Sequence, residues 1–505
     1  MKTDFHNKYS GKIAGTISCL DRVIISGSLT KWGYAEAMDY YLYEHNIKVK
    51  DFPMFGKQMN DSLRQNVESI AVSNNITIEH IRSPLHFNKE EHIQNILLER
   101  GEKEGLIKIY TSMEICDCYR PTFDKIKNRA FLKSGTSKCL YYYIYFIDKS
   151  FGLCFLRIPT WIPFRVQFYF NGHNYLANKL RERNINYSMS DNAFNFIDNY
   201  NIAQELSSSI KADDIHKSFD GIIKRYIPFL EQSGQTYRWT LSQVEYSTDV
   251  IFKNTNDLLL IYDQLVHNCI HSVKPDNIAT FFSRKLAAHY QQEVGNKYNK
   301  QIQGTRIKHL MGVNSIKMYN KDKNILRIET TVNDVTEFKI YRQVNTIDHR
   351  SVQRLAPMKK SIYSLYELCK CCLAANSRYL DFIASFEDNS SGIKNLDTVS
   401  QKITDHDRSY RGFNFFEPVD AQILLALESG EFNINGFRNK SLRKKLSDSL
   451  SASAVSRILK RLLLHGIIKK VKNTYKYYLT KSGKRILAGA HIVKELYIIP
   501  ALATS

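Results

Sequence analysis

Apolar and polar residues alternate along parts of this chain with a period of two, and elsewhere apolar residues recur at spacings of three and four. The first pattern predicts strands and the second amphipathic helices. Residues 11–30 read as a β-hairpin, 34–45 and 60–72 as helices, 76–81 as a short strand and 89–101 as a helix. A strand over 106–114 follows and ends at Glu114. This succession predicts an N-terminal α/β domain over 1–135, whose last part, 115–135, reads as irregular and basic. A hairpin over 140–147 and 153–158 comes next, then a helix over 166–184, a strand over 240–252 and a last hairpin over 315–331. These predict a central α+β domain over 136–390 with a mixed or antiparallel sheet. Residues 391–414 are polar and weakly periodic and read as a linker.

The pattern is most regular at the C-terminal end, in the expected domain over 415–505. Helices are predicted over 419–427, with Pro418 at the start, over 441–446 and over 452–465, where Ser451 or Ser453 serves as N-cap. Val455, Ile458, Leu459, Leu462 and Leu463 form one apolar stripe on the third helix. Ser453, Ser456, Arg457, Lys460 and Arg461 fall on the opposite side. Gly466 stops the helix, and two strands follow around 472–474, carrying Lys470, Lys472 and Lys476. Charge sharpens this picture. The chain has 71 Lys and Arg against 50 Asp and Glu, a balance of +21. Residues 438–485 hold 15 Lys and Arg and a single acid, Asp448, so +14 of the +21 lies there and +7 elsewhere. Charge focused in this way suits a polyanion. The segment resembles the winged helix-turn-helix of MarR-like regulators. That resemblance implies DNA as partner, with the third helix in the major groove and the lysines of the wing near phosphates. The competing reading is a winged helix that binds protein.

Composition narrows the class further. Hydrophobic residues make up 43% and there are only 10 Pro, which argues against long disordered regions. A length of 505 residues exceeds one core and predicts several domains. The nine Cys are odd in number, and the start of the chain has no apolar signal segment, so a reducing cytoplasmic compartment is expected. Cys116-x-Cys118 and Cys369-x-Cys371-Cys372 lack the paired spacing of a zinc site and read as structural thiols. No apolar run approaches the roughly 18 residues of a membrane span. Without a heptad seam, oligomeric state stays open, a dimer included.

Candidate chemistry lies between 240 and 330. Glu245, Ser247 and Asp249 share one face of a strand, as do Ser315, Lys317, Tyr319 and Lys321 on a second and Arg327 and Glu329 on its partner. A Gly304-Thr305-Arg306 segment lies between them. Tyrosine, carboxylates and cations on one sheet suit phosphodiester chemistry: a nucleophilic hydroxyl, a divalent cation and groups that stabilise charge. In order and wording these pieces resemble rolling-circle replication initiators. The resemblance implies Tyr319 as nucleophile, Glu245, Asp249 and Glu329 as ligands for Mg²⁺ or Mn²⁺, and Lys321 and Arg306 as phosphate contacts. The chain departs from that pattern in having Gln243 and Val244 where an Arg precedes the first acid, and in lacking a His-hydrophobic-His motif. The chain as a whole resembles a widespread bacterial family, a likeness that implies no mechanism. The expectation is a DNA protein of mobile-element type that nicks or transfers a strand. Two alternatives stand beside it. One is a non-enzymatic DNA- or RNA-binding regulator, in which the Lys and Glu residues of the hairpin are ordinary cross-strand pairs. The other is an RNase H-like metal nuclease using Asp21 and Glu114, with Asp148 a weak third acid. His173 reads as a hydrogen-bonded loop or helix residue.

Overall fold

The computed structural model describes residues 3–82, 87–232, 234–286, 290–301, 304–345, 351–385, 399–446, 450–472 and 474–492. The chain forms two compact units that interleave along the sequence. One comprises Met1–Thr16, Ser247–Thr331 and Cys371–Ser505, and the other Ile17–Tyr246 and Val332–Lys370. They are called here the first and second unit. The fold is mixed α+β in several domains, and among the described residues no helix is long and apolar enough to cross a membrane.

The strands are β1 (Ile13–Leu29), β2 (Ile78–Ile81), β3 (Gly105–Asp124), β4 (Arg129–Asp148), β5 (Gly152–Pro159), β6 (Val166–Asn171), β7 (Tyr187–Ser190), β8 (Ala193–Ile197), β9 (Tyr237–Phe252), β10 (Val294–Gln301), β11 (Gly304–Met311), β12 (Asn314–Lys321) and β13 (Ile325–Val332). In the second unit the sheet order is β9-β1-β6-β5-β4-β3-β2. β2 runs parallel to its neighbour β3, while β3 to β6 form an antiparallel series that continues to β1. In the first unit the order is β10-β11-β12-β13-β9, with antiparallel pairs from β10 to β13.

Three local expectations change. Within residues 11–30 the chain forms one long strand, Ile13–Leu29, not a hairpin, and Asp21 and Arg22 sit in its middle. Arg22 pairs with Asn171 of β6, and Val23 and Ile25 bury beyond it. The expected helix over 166–184 splits into β6 and a helix at Gly172–Glu182. Val166, Phe168 and Phe170 bury on alternate positions, Phe168 against Phe219 at 4.1 Å, and the Asn171 side chain then accepts the His173 backbone N–H to start the helix. A Cβ at Gly172 would lie 2.2 Å from the Leu20 carbonyl, so only glycine permits that close approach. Finally, 115–135 is not irregular. It is the outer half of the β3–β4 hairpin, in register from Ile115–Lys138 to Asp124–Arg129. Apolar Ile115, Phe123 and Ile126 are exposed there while Cys116, Cys118, Tyr119 and Leu132 are buried, so apolar residues do not mark a single face of the strands.

The hairpins at β4–β5 and β12–β13 form as the alternation predicts. The first turns on Asp148, whose Oδ1 accepts the Ser150 and Phe151 backbone N–H groups, and on Gly152 at φ +68°.

The C-terminal part of the first unit has helices at Pro418–Leu427, Gly430–Asn435, Asn439–Leu446 and Ala452–Leu464. Strands Ile468–Lys470 and Tyr477–Leu479 pair antiparallel, and a helix at Lys481–Ile492 follows. Val455, Leu459 and Leu462 are buried with Ile423, Leu427 and Leu442, and Ile458 and Leu463 pack against them. The Ser451 side chain accepts the Ala454 N–H, and Gly466 takes φ +63° after the helix. The helices at Gly430–Asn435 and Lys481–Ile492 were not expected. Within the expected linker, 391–398 lies outside the described residues, and Ile403–Asp405 pairs with Arg408–Tyr410 as a small hairpin. Asn473 of the expected wing also lies outside them.

Candidate functional site

The candidate chemistry of the first unit is built on β12 and β13. The two-residue period puts Lys317, Tyr319 and Lys321 on one face of β12, and antiparallel register sets Lys317 opposite Glu329 and Tyr319 opposite Arg327. The Tyr319 hydroxyl donates to Glu329 Oε2 at 2.7 Å, and Lys317 Nζ donates to Glu329 Oε1 at 2.5 Å. Glu329 is buried, while Tyr319 and Lys317 are half-buried. The carboxylate therefore holds a phenol and an ammonium at once. Such a group can accept the proton of the phenol it already binds.

Asp249 is placed differently. Both its oxygens accept from Arg327, at 2.6 Å from Nε and 2.7 Å from Nη2, and neither side chain has any solvent exposure. A carboxylate already paired on both oxygens with a buried guanidinium would bring a cation up against that positive charge, so this geometry does not fit the metal role that the resemblance implies for Asp249. Lys321 stands at the end of β12 opposite Ile325. Half-buried Arg306 lies on β11 beside Ile307, which pairs with Met318. Sequence reasoning missed Arg327 as the partner of Asp249, while Lys–Glu pairing across the hairpin was among its alternatives. The Lys317–Glu329 pair was open to it, because both fall on faces that the strand period defines.

The second unit holds its own polar centre. Asp21 is buried on β1 and accepts hydrogen bonds from Asn171 Nδ2 at 2.9 Å and from Asn192 Nδ2 at 2.7 and 2.9 Å. Buried His173 places Nδ1 3.4 Å from Asp21 Oδ1, and a Glu245 oxygen lies within 4.8 Å of an Asp21 oxygen. Glu114 serves elsewhere. It accepts from the Tyr143 hydroxyl at 2.6 Å and pairs with Arg157, which hold it below the usual carboxylate range against the opposing effect of burial. Asp148 caps its own turn. The nine Cys are all free thiols. The Cys116 and Cys139 thiols on β3 and β4 share a hydrogen bond, which pushes Cys139 up and Cys116 down.

On the helix Ala452–Leu464, Ser453, Ser456, Arg457 and Lys460 are exposed. Arg457 has no side-chain partner among the described residues. Ser456 accepts from Asn439 Nδ2 at 2.9 Å, and Lys460 reaches Asp405 at 2.9 Å. Arg461 differs in kind. It binds both oxygens of buried Asp420 at 2.7 and 2.8 Å, donates to the Arg411 and Gly412 carbonyls, and stacks 3.8 Å from the Phe413 ring centre. Asp420 is held below its usual range by Arg461 and by the Asn414 N–H, against desolvation. Arg461 is thus tied inward. On the strands that follow, Lys470 and Lys472 are exposed and Lys476 half-buried, with Lys470 over Tyr475 and Lys476 over Tyr478.

No protein-family model, curated protein or solved structure matches this chain.

Proposed function

We propose that this chain is a DNA-binding protein whose C-terminal domain is a winged helix, with Ala452–Leu464 as the helix that enters the major groove. One observation carries the reading. The helix buries its apolar stripe and turns Ser453, Ser456, Arg457 and Lys460 to solvent at its outer face. Small polar groups near its start suit base edges, and the cations suit phosphates. Lys470, Lys472 and Lys476 extend the positive surface along the wing. Arg461, engaged by Asp420, belongs to the support of that helix and not to its contact face. The test is fluorescence anisotropy with duplex DNA across a salt series. The expected result is a steep fall of affinity with salt, and a slope reduced by about two in Arg457→Ala/Lys460→Ala. Absence of DNA binding at low salt sinks the reading.

A second reading, strand transfer through Tyr319, is favoured by the 2.7 Å bond from its hydroxyl to Glu329. In this scheme Tyr319 Oη attacks a backbone phosphorus and Glu329 takes the phenolic proton. The P–O bond to the leaving deoxyribose breaks, and that oxygen picks up a proton to become a free hydroxyl. Lys317 stands beside the developing charge. In this scheme the protein groups act by themselves: Asp249 stays paired with Arg327, and Glu329 accepts from Tyr319 and Lys317. A covalent protein–DNA adduct that Tyr319→Phe abolishes is the expected product, sought with and without Mg²⁺ or Mn²⁺. No adduct in any of these conditions leaves a DNA-binding protein without this chemistry.

A further inference from the structure

A cavity of the first unit, about 930 Å³, lies between the helix Lys481–Ile492, the helix Leu365–Ala384 and the start of the chain. Its walls are tightly joined. A Cβ at Gly430 would lie 2.2 Å from the Asp276 carbonyl, so the helix that Gly430 begins packs directly on Pro275–Phe281.

The lining is unbalanced in charge. Six cations face three acids, Asp4, Asp381 and Glu428. The acids are weakened as counterions: Asp381 accepts the Asp4 backbone N–H at 2.6 Å, and burial pushes Glu428 up to about 7, so near neutral pH it carries a partial charge. Of the cations, Lys8 and Arg378 donate to the carbonyls of Ala384 and Phe281. Lys469, Lys481, Lys484 and Arg485 make no side-chain hydrogen bond or ion pair among the described residues. Lys481, Lys484 and Arg485 fall at i, i+3 and i+4 on one helix, which puts three cationic groups along a single stripe. Desolvation holds Lys484 below its ordinary value, with Asp381 opposing it. A dense anion would relieve that cost. Phe382, Leu487 and Ala488 give the cavity an apolar side. A volume at the upper end of small-molecule sites, one apolar wall and a row of three cations together suit a nucleotide-sized ligand with several phosphate charges.

We propose that this cavity binds a phosphate-bearing, nucleotide-sized anion, seated on Lys481, Lys484 and Arg485. None of Ser453, Ser456, Arg457 or Lys460 lines it, so the site is separate from the outer face of the Ala452–Leu464 helix and stands independently of the DNA-binding reading.

The experiment is isothermal titration of the full chain with pyrophosphate, ATP and a short single-stranded oligonucleotide, in low-salt buffer. The same is done on Lys481→Ala/Lys484→Ala and on Arg485→Gln. These side chains make no internal bonds, so melting without ligand should be unchanged, and this is checked first. The expected result is saturable binding of pyrophosphate or ATP that weakens about tenfold or more in the double variant, a loss of about 1.4 kcal/mol. If the variants weaken ATP and pyrophosphate but not the oligonucleotide, the ligand is a free nucleotide. If only the oligonucleotide weakens, the cations serve a nucleic-acid backbone and the proposal of a nucleotide-sized ligand falls. No binding up to millimolar concentration, or binding equal in wild type and both variants, overturns the proposal.

Discussion

Arg327 carries a full positive charge to a place without solvent exposure, and Asp249 answers it with two bonds. Breaking such a pair strands a buried charge, which costs about 3–5 kcal/mol. Arg327→Met and Asp249→Asn should each lower the denaturant midpoint of the chain by that order, with double-mutant coupling between them. Sequence reading placed Asp249 and Arg327 on strands of one sheet but did not pair them. They lie 78 residues apart, and the two-residue period fixes a face, not a partner. His309 offers a second test. It is buried between Asn296 and the Tyr379 hydroxyl, and burial lowers it to about 3. Because its folded value lies below its unfolded one, it destabilises the fold as pH falls. Stability is complete above about 6.5 and lost at up to roughly 1.4 kcal/mol per pH unit below that, until about 3. Unfolding free energy followed from pH 7 to 4 should show this slope, and His309→Gln should flatten it. An equal acid limb in the variant would assign the loss to other groups.

At the scale of elements, the helix Ala452–Leu464 was the most legible part of the chain, because cap, stripe and stop all point the same way in the sequence. Its strength should follow the same features. Ser451→Ala removes the bond to the Ala454 N–H and should cost about 1 kcal/mol. Leu459→Ala empties a buried position and should cost about 2–5 kcal/mol, read from thermal melting of the C-terminal transition. The two arginines of this helix should separate cleanly. Arg461→Ala frees buried Asp420 and destabilises the domain, whereas Arg457→Ala should leave melting unchanged and reduce DNA affinity. Sequence alone put both on one outward face. Telling them apart required Asp420, 41 residues earlier, whose inward position the helix period does not reveal. The helix over 166–184 was misread for a related reason: VQFYF alternates, but the apolar spacing of the following helix runs on from it without a clear break.

For the whole molecule, the sequence conveyed the class, mixed α+β with a helical C-terminal part, better than the division into units. Met1–Thr16 joins Ser247–Thr331 in one unit, and Val332–Lys370 joins Ile17–Tyr246 in the other. Pairing between strands so far apart leaves no local mark that hydrophobic spacing can register. The β3–β4 hairpin shows a consequence of the same kind. Its outer half ends in a turn where Asp124 accepts the Ile126 and Lys127 N–H groups, Ile126 is 97% exposed and Asn128 takes φ +46°. Lys125, Lys127 and Arg129 surround that turn, so it presents protease with an accessible chain and the right residues in one place. Brief trypsin treatment of the native chain should cut there early. The two pieces should nevertheless elute together from a sizing column and separate only in denaturant, because the ladder from Gly105–Ile147 outward still holds both strands. A covalent break would then leave the fold standing, and the nicked form could be assayed like the intact protein.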